Sequence, residues 1–190
     1  MDDFTIDRVG YLFTPHALTA LFGLLSLDVM PDLPLQLDEE TRNAALDWLE
    51  DAGYVRAYGN SYIVGETMAF IAHAVAGQPI LRLQAKDGLL RVYRKGGIFF
   101  VVDQSIRGRY RVMPLTQAKE AADELTLRLT QLLPLEATID VVGEQGPCEQ
   151  LWLQTESQAR TLLEQVLLYR TQEEVKDGNG NCGTYHQCDK

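Results

Sequence analysis

Between residues 79 and 113 four strand-like runs follow one another so closely that only one backbone arrangement accommodates them. The runs are ILRLQA, LLRVYR, IFFVVD and RYRVM, separated by KDG, KGG and QSIRG. Two parallel strands need a crossover of a dozen or more residues, so connections this short join antiparallel neighbours. Each connection contains a glycine, which adopts positive φ without steric cost. The segment therefore predicts an antiparallel β-meander. In ILRLQA and RYRVM apolar and polar residues alternate, which predicts one buried face and one wet face. IFFVVD is apolar almost throughout and suits a central strand.

Helices flank this segment in the sequence, placing the chain in the α+β class, with an antiparallel β-meander sheet and flanking helices. Thr14 is suited to cap a first helix and Pro15 to open it, with Leu18, Leu21, Phe22 and Leu25 at helical spacing. DVMPDLPLQL (28–37) carries two prolines and reads as an irregular connection. Asp38 then caps an acidic helix, with Glu39 and Glu40 in its first turn and Gly53 at its left-handed end. YVRAYGNSYIV follows, two short alternating runs joined by Gly59-Asn60, a hairpin signature. The helix and hairpin together have a winged-helix-like order. A short apolar helix runs over 66–76. Beyond the meander, the spacing predicts a long helix over 117–133 capped by Thr116, a strand ATIDVV, and a helix from Thr155 to about Arg170 opened by a Thr155/Gln158 capping box. The organisation expected is one α+β domain over 1–175, with a helical and hairpin part (1–78) and a sheet-and-helix part (79–175). The apolar-poor segment 176–190 is expected to be a disordered tail.

Charge narrows the partners. The net charge is −10, but residues 80–119 hold 9 basic and 2 acidic side chains, against 3 and 12 before them and 5 and 13 after them. Nucleic acids and anionic membranes both demand an excess of Lys and Arg, so neither is an expected partner. The would-be recognition helix has six acids (Asp38, Glu39, Glu40, Asp47, Glu50, Asp51) against Arg42 alone, which opposes DNA binding by a winged helix. No run approaches the ~18 apolar residues of a membrane span, and MDDFTIDRVG lacks the basic start of a secretory signal. The expected location is cytoplasmic, and three cysteines make no disulfide framework.

No serine elbow, phosphate loop, dinucleotide glycine pattern or zinc-protease helix is present. His16 and His73 read as structural. Cys182, His186 and Cys188, with Cys148 as a conceivable fourth ligand, have the softness zinc prefers, but one group on a glycine-rich segment lacks the paired spacing of a structural site. Neither a metal nor any other cofactor is expected. The basic meander is the most specific feature: Arg82, Arg91, Arg109 and Arg111 fall on alternating strand positions taken to share the wet face, with Arg94 at a turn and Tyr93 on the parity of Arg91. Arg and Tyr are enriched at protein interfaces. Either the chain's own acidic helices 38–52 and 117–133 cover or neutralise this face, or it is open and Arg91, Tyr93, Arg94, Arg109 and Arg111 are the candidate contacts for a protein partner.

The order of elements also resembles that of the EspG-like proteins associated with type VII (ESX) secretion. The likeness runs over residues 12–153 and is carried by Leu33-Pro34-Leu35, by Leu49, Ala52 and Gly53 at the end of the acidic helix, by the Pro79–Leu83 strand and by Arg109–Leu115. It implies a cytosolic chaperone that binds a helical secreted substrate, built on a central antiparallel sheet with flanking helices. It transfers no binding residue. The function expected is a non-enzymatic protein-binding module, chaperone- or adaptor-like, for a helical or acidic partner. A winged-helix-like regulator and an enzyme using His16 or His73 are the alternatives.

Overall fold

The computed structural model describes residues 10–28, 30, 32–85, 88–104, 108–130, 135–141, 149–153, 155–161, 163, 164 and 167. The thirteen elements run β1 (Tyr11–Phe13), α1 (Pro15–Leu24), α2 (Glu39–Asp51), β2 (Val55–Tyr58), β3 (Ser61–Val64), α3 (Glu66–Val75), β4 (Leu81–Ala85), β5 (Gly88–Lys95), β6 (Ile98–Asp103), β7 (Tyr110–Leu115), α4 (Ala118–Thr130), β8 (Leu135–Val141) and β9 (Glu149–Leu153). Residues 156–161, 163, 164 and 167 are also helical. The expected tail, the metal candidates Cys148, Cys182, His186 and Cys188, and the expected helix end at Pro134 lie outside the described residues.

Local chemistry sets the helix starts. The Thr14 hydroxyl accepts the Ala17 N–H at 3.1 Å with Pro15 at the first helical position, and Asp38 Oδ1 accepts the Thr41 N–H at 2.7 Å. Gly53 closes α2 at φ +73°, where a Cβ would cost energy. Before α4, the Thr116 N–H and hydroxyl both donate to the Glu120 carboxylate, at 3.2 and 3.1 Å.

The meander forms as its turns require: β4 to β7 pair antiparallel in sequence order. It is the middle of a larger, wholly antiparallel sheet of order β1-β7-β6-β5-β4-β8-β9. β8 adds beside β4 and carries β9, while β1 adds beside β7. This order dictates the layers. The chain leaves β1 at one side and enters β4 with three strands between them, so α1, α2, α3 and the small β2–β3 sheet lie along the path of that crossing. It leaves β7 through α4 and reaches β8 on the far side of β4, a second crossing.

The two crossings lie on opposite faces, and neither face stays wet. Phe13, Tyr93, Phe100, Val102, Tyr110 and Val112 point to the first face and pack with Leu18, Leu21, Phe22, Leu49, Ile71 and Val75. Leu81, Leu83, Val92, Phe99, Val101 and Met113 point to the second and pack with Ala121, Leu125, Ala159, Leu163 and Leu167. The expectation of a sheet with one solvated face is therefore corrected. An antiparallel sheet commonly leaves one face to water, but two crossing connections on opposite sides cover both here. No helix among the described residues is long and apolar enough to cross a membrane.

Since both faces are core, truncation on either should be costly. Phe100→Ala is expected to lose about 3–5 kcal/mol and Leu125→Ala about 2–5 kcal/mol in denaturant unfolding. A loss below about 0.5 kcal/mol at Leu125, the range of surface sites, would mean that the second face is open.

Candidate functional site

The candidate contact residues do not share a surface. Arg91 and Tyr93 point to the first face, beneath the α1–α3 layer, with exposures of 8% and 2%. Arg82 is the Cα partner of Arg91 and takes the same side, but is exposed. Arg94 points the other way: it is half-buried, with its guanidinium 5.4 Å from the centre of the Phe99 ring. Arg111 is half-buried on that second face, opposite Asp103 in the β6–β7 register. Arg109 is exposed just ahead of β7. The strand period of two explains the split. Arg91 and Arg111 sit on positions of opposite parity once the strands are registered, so no common basic face forms.

Arg91 is instead held by a group the sequence left in a loop. Asp32, in the irregular segment between α1 and α2, accepts from three donors on the first face. Arg91 Nη2 donates to Oδ1 at 2.6 Å, Tyr110 Oη donates to Oδ2 at 2.7 Å, and Gln104 Nε2 donates to the same Oδ2. Met30 places its sulfur 3.7 Å from Arg91 Nη1 and 3.3 Å from Tyr93 Oη. One carboxylate thus spans β5, the end of β6 and β7. Burial pulls the Asp32 carboxyl upward, but hydrogen bonds from Arg91 and Tyr110 and the Arg91 charge outweigh it, leaving its pKa below the usual 3.8. Burial pushes the Tyr110 phenol well above its usual 10, and donation to Asp32 adds to the shift. Burial likewise raises Tyr93. Perturbed groups gather at functional sites and in structural ion-pair networks alike. Here the cluster acts as a clamp: every polar atom named is occupied by another part of the chain.

The open surface lies elsewhere, on the β2–β3 hairpin. Gly59 takes φ +60° while Asn60 keeps an ordinary negative φ, the pattern of a type II′ turn, which suits strand twist. One side of the hairpin, Val55, Tyr62 and Val64, packs on the first-face core. Tyr54 anchors its base, with ring centres 5.2 Å from Phe13 and 5.9 Å from both Trp48 and Tyr11. The other side presents Arg56, Tyr58, Ser61 and Ile63, all exposed; Tyr58 is 72% and Ile63 53% open to solvent. These two are diagonal neighbours across the strand pair, close enough to form one apolar patch. The alternation in VRAY and SYIV could have marked this face, because a lone hairpin has one side against the core and one to spare.

His16 in the first turn of α1 and His73 near the end of α3 are both exposed. Among the described residues no three His, Cys, Asp or Glu side chains are grouped to hold a metal. The five carboxylates of α2 (Glu39, Glu40, Asp47, Glu50, Asp51) are all exposed. No family model matches the chain, and no curated protein matches it.

Removing the Asp32 carboxylate strands a buried guanidinium. Asp32→Ala should cost about 2–3 kcal/mol in denaturant unfolding, below the 3–5 of a fully buried pair because Asp32 retains 27% side-chain exposure. The pH dependence has a definite sign. A folded pKa below the unfolded value stabilises at neutral pH, and that contribution fades as the pH falls through 3.8 toward the folded value. Unfolding midpoints measured from pH 7 to pH 2 should therefore drop more steeply for the wild type than for Asp32→Asn.

Proposed function

We propose that this chain is a non-enzymatic protein-binding module, and that the open side of the β2–β3 hairpin is its contact surface. The carrying observation is the pairing of Tyr58 and Ile63 on one exposed side of a ribbon whose other side is fixed in the core. Adjacent exposed apolar side chains of this size favour burial against another molecule. Tyrosine and arginine, here Tyr58 beside Arg56, suit such contacts because both combine a broad apolar surface with directed polar atoms. The anchoring of the hairpin by Tyr54 lowers the ordering cost of binding, since the patch is held in place before a partner arrives.

Chaperone- or adaptor-type binding is the form suggested by the resemblance to EspG-like proteins. An acidic partner was expected on the strength of a basic sheet face, and the division of Arg91 and Arg111 between two covered faces removes that support. For a winged-helix-like regulator, the exposed acids of α2 would meet the phosphates of a duplex, and repulsion disfavours that reading.

Site-specific photo-crosslinking in cells that make the protein tests the proposal. A crosslinker at position 58 or 63 should trap one discrete polypeptide, and Tyr58→Ala with Ile63→Ala should abolish the product formed from a probe at position 61. Equal yields from position 119, on the exposed side of α4, or no product from 58 and 63, would contradict it.

A further inference from the structure

The hairpin forms a two-stranded sheet apart from the main one, so each of its strands has an outer edge. The two edges are treated differently. Tyr58 and Ser61 flank the two-residue turn as a hydrogen-bonded pair, and alternation along an antiparallel ladder then makes Arg56 and Ile63 the next such pair. Val55 and Ala57 on β2, and Tyr62 and Val64 on β3, direct their backbone groups outward. On β2 the outward N–H of Ala57 is taken: it donates to Glu50 Oε1 at 3.0 Å. A carboxylate from α2 therefore caps that edge at its middle. On β3 no hydrogen bond engages the outward backbone groups of Tyr62 and Val64 among the described residues. The strand reads SYIV, without a charge, a proline or a bulge, the devices by which open edges are usually protected.

From this asymmetry we infer that the β3 edge accepts an extended segment of a partner protein as a third strand, and that the segment alternates apolar with basic residues. The inference rests on reading the hairpin as the contact surface and adds which partner chemistry fits it. An added strand pairs its main chain with Tyr62 and Val64 and lays alternate side chains beside Ser61 and Ile63 on the open side, extending the Tyr58–Ile63 patch. Basic residues follow from charge. The helix leading into the hairpin exposes five carboxylates against the single Arg42, and the chain as a whole carries −10. That field attracts a cationic segment and repels a second copy of this chain.

The test uses the full chain and three fluorescein-labelled decapeptides: valine alternating with lysine, the same peptide N-methylated on the edge that would pair with β3, and valine alternating with glutamate. In low salt the basic peptide should bind by fluorescence anisotropy and slow amide exchange at Tyr62 and Val64. The N-methylated and acidic peptides should each bind at least about tenfold more weakly, the loss expected for a main-chain hydrogen bond or a charge match. Equal binding of the N-methylated peptide, equal binding of the acidic one, no binding of the basic one, or sedimentation showing that a second copy fills the edge would each overturn the inference. Tyr58→Ala with Ile63→Ala separates the two claims. If it abolishes basic-peptide binding while N-methylation does not, the open side stands and the strand addition falls. If N-methylation abolishes binding and the double variant does not, the edge stands and the apolar side loses its role.

Discussion

Arg91 lies on an inner strand under a layer of helices, and a guanidinium cannot lose its proton to lessen the cost of burial. Such a charge must be met by a carboxylate placed at the right depth, because an unpaired buried ion costs several kcal/mol. Asp32 meets it at 2.6 Å, and from there the geometry of the first crossing follows. The segment between α1 and α2 has to drape over β5 and β7 for Asp32 to reach Arg91, Tyr110 and Gln104 together, with Met30 set beside Tyr93. Thr19 adds a second tie, its hydroxyl donating to the Pro34 carbonyl at 3.2 Å. A proline-bearing connection without regular structure thus becomes part of the layer that seals the first face.

Closure of both faces determines where the molecule can meet another. The second face is sealed by α4 and the helical residues after Thr155, and it also takes in polar groups: Asp103 is fully buried, with Arg128 Nε 3.5 Å from its Oδ2. With the sheet occupied on both sides, Arg91 serves internal pairing. What remains for a partner is structure outside the sandwich. Among the described elements the hairpin combines a fixed base, an open apolar side and an edge with outward backbone groups, and the reading of this protein as a binding module draws on that combination.

Much of this architecture was legible in the sequence because it is set by contacts between near neighbours. The caps at Thr14 and Asp38, the left-handed end at Gly53, the Gly59-Asn60 hairpin and the order β4 to β7 all depend on residues a few positions apart. The strand β1, three residues long, has no periodicity to betray it and exists because β7 offers an edge. β9 was missed for a similar reason, since its pairing is with β8 and not with an adjacent meander strand. The role of Asp32 was beyond reach: its three donors lie 59, 72 and 78 residues away. The one local hint is an acid between prolines in an otherwise apolar stretch, VMPDLPL. The misreading of the basic meander has the same origin. Alternation gives the two sides of a strand but cannot say that both will be covered, which depends on crossings tens of residues long.

The central claim is that the sheet surface is closed by the chain itself while the hairpin stays open. Arginine modification by phenylglyoxal, read residue by residue by mass spectrometry on the folded protein, tests it most directly. The account predicts that Arg56 and Arg109 react at rates near those of the unfolded chain and that Arg91 is protected until the protein is denatured. Modification of Arg91 as fast as Arg109 under native conditions would contradict it.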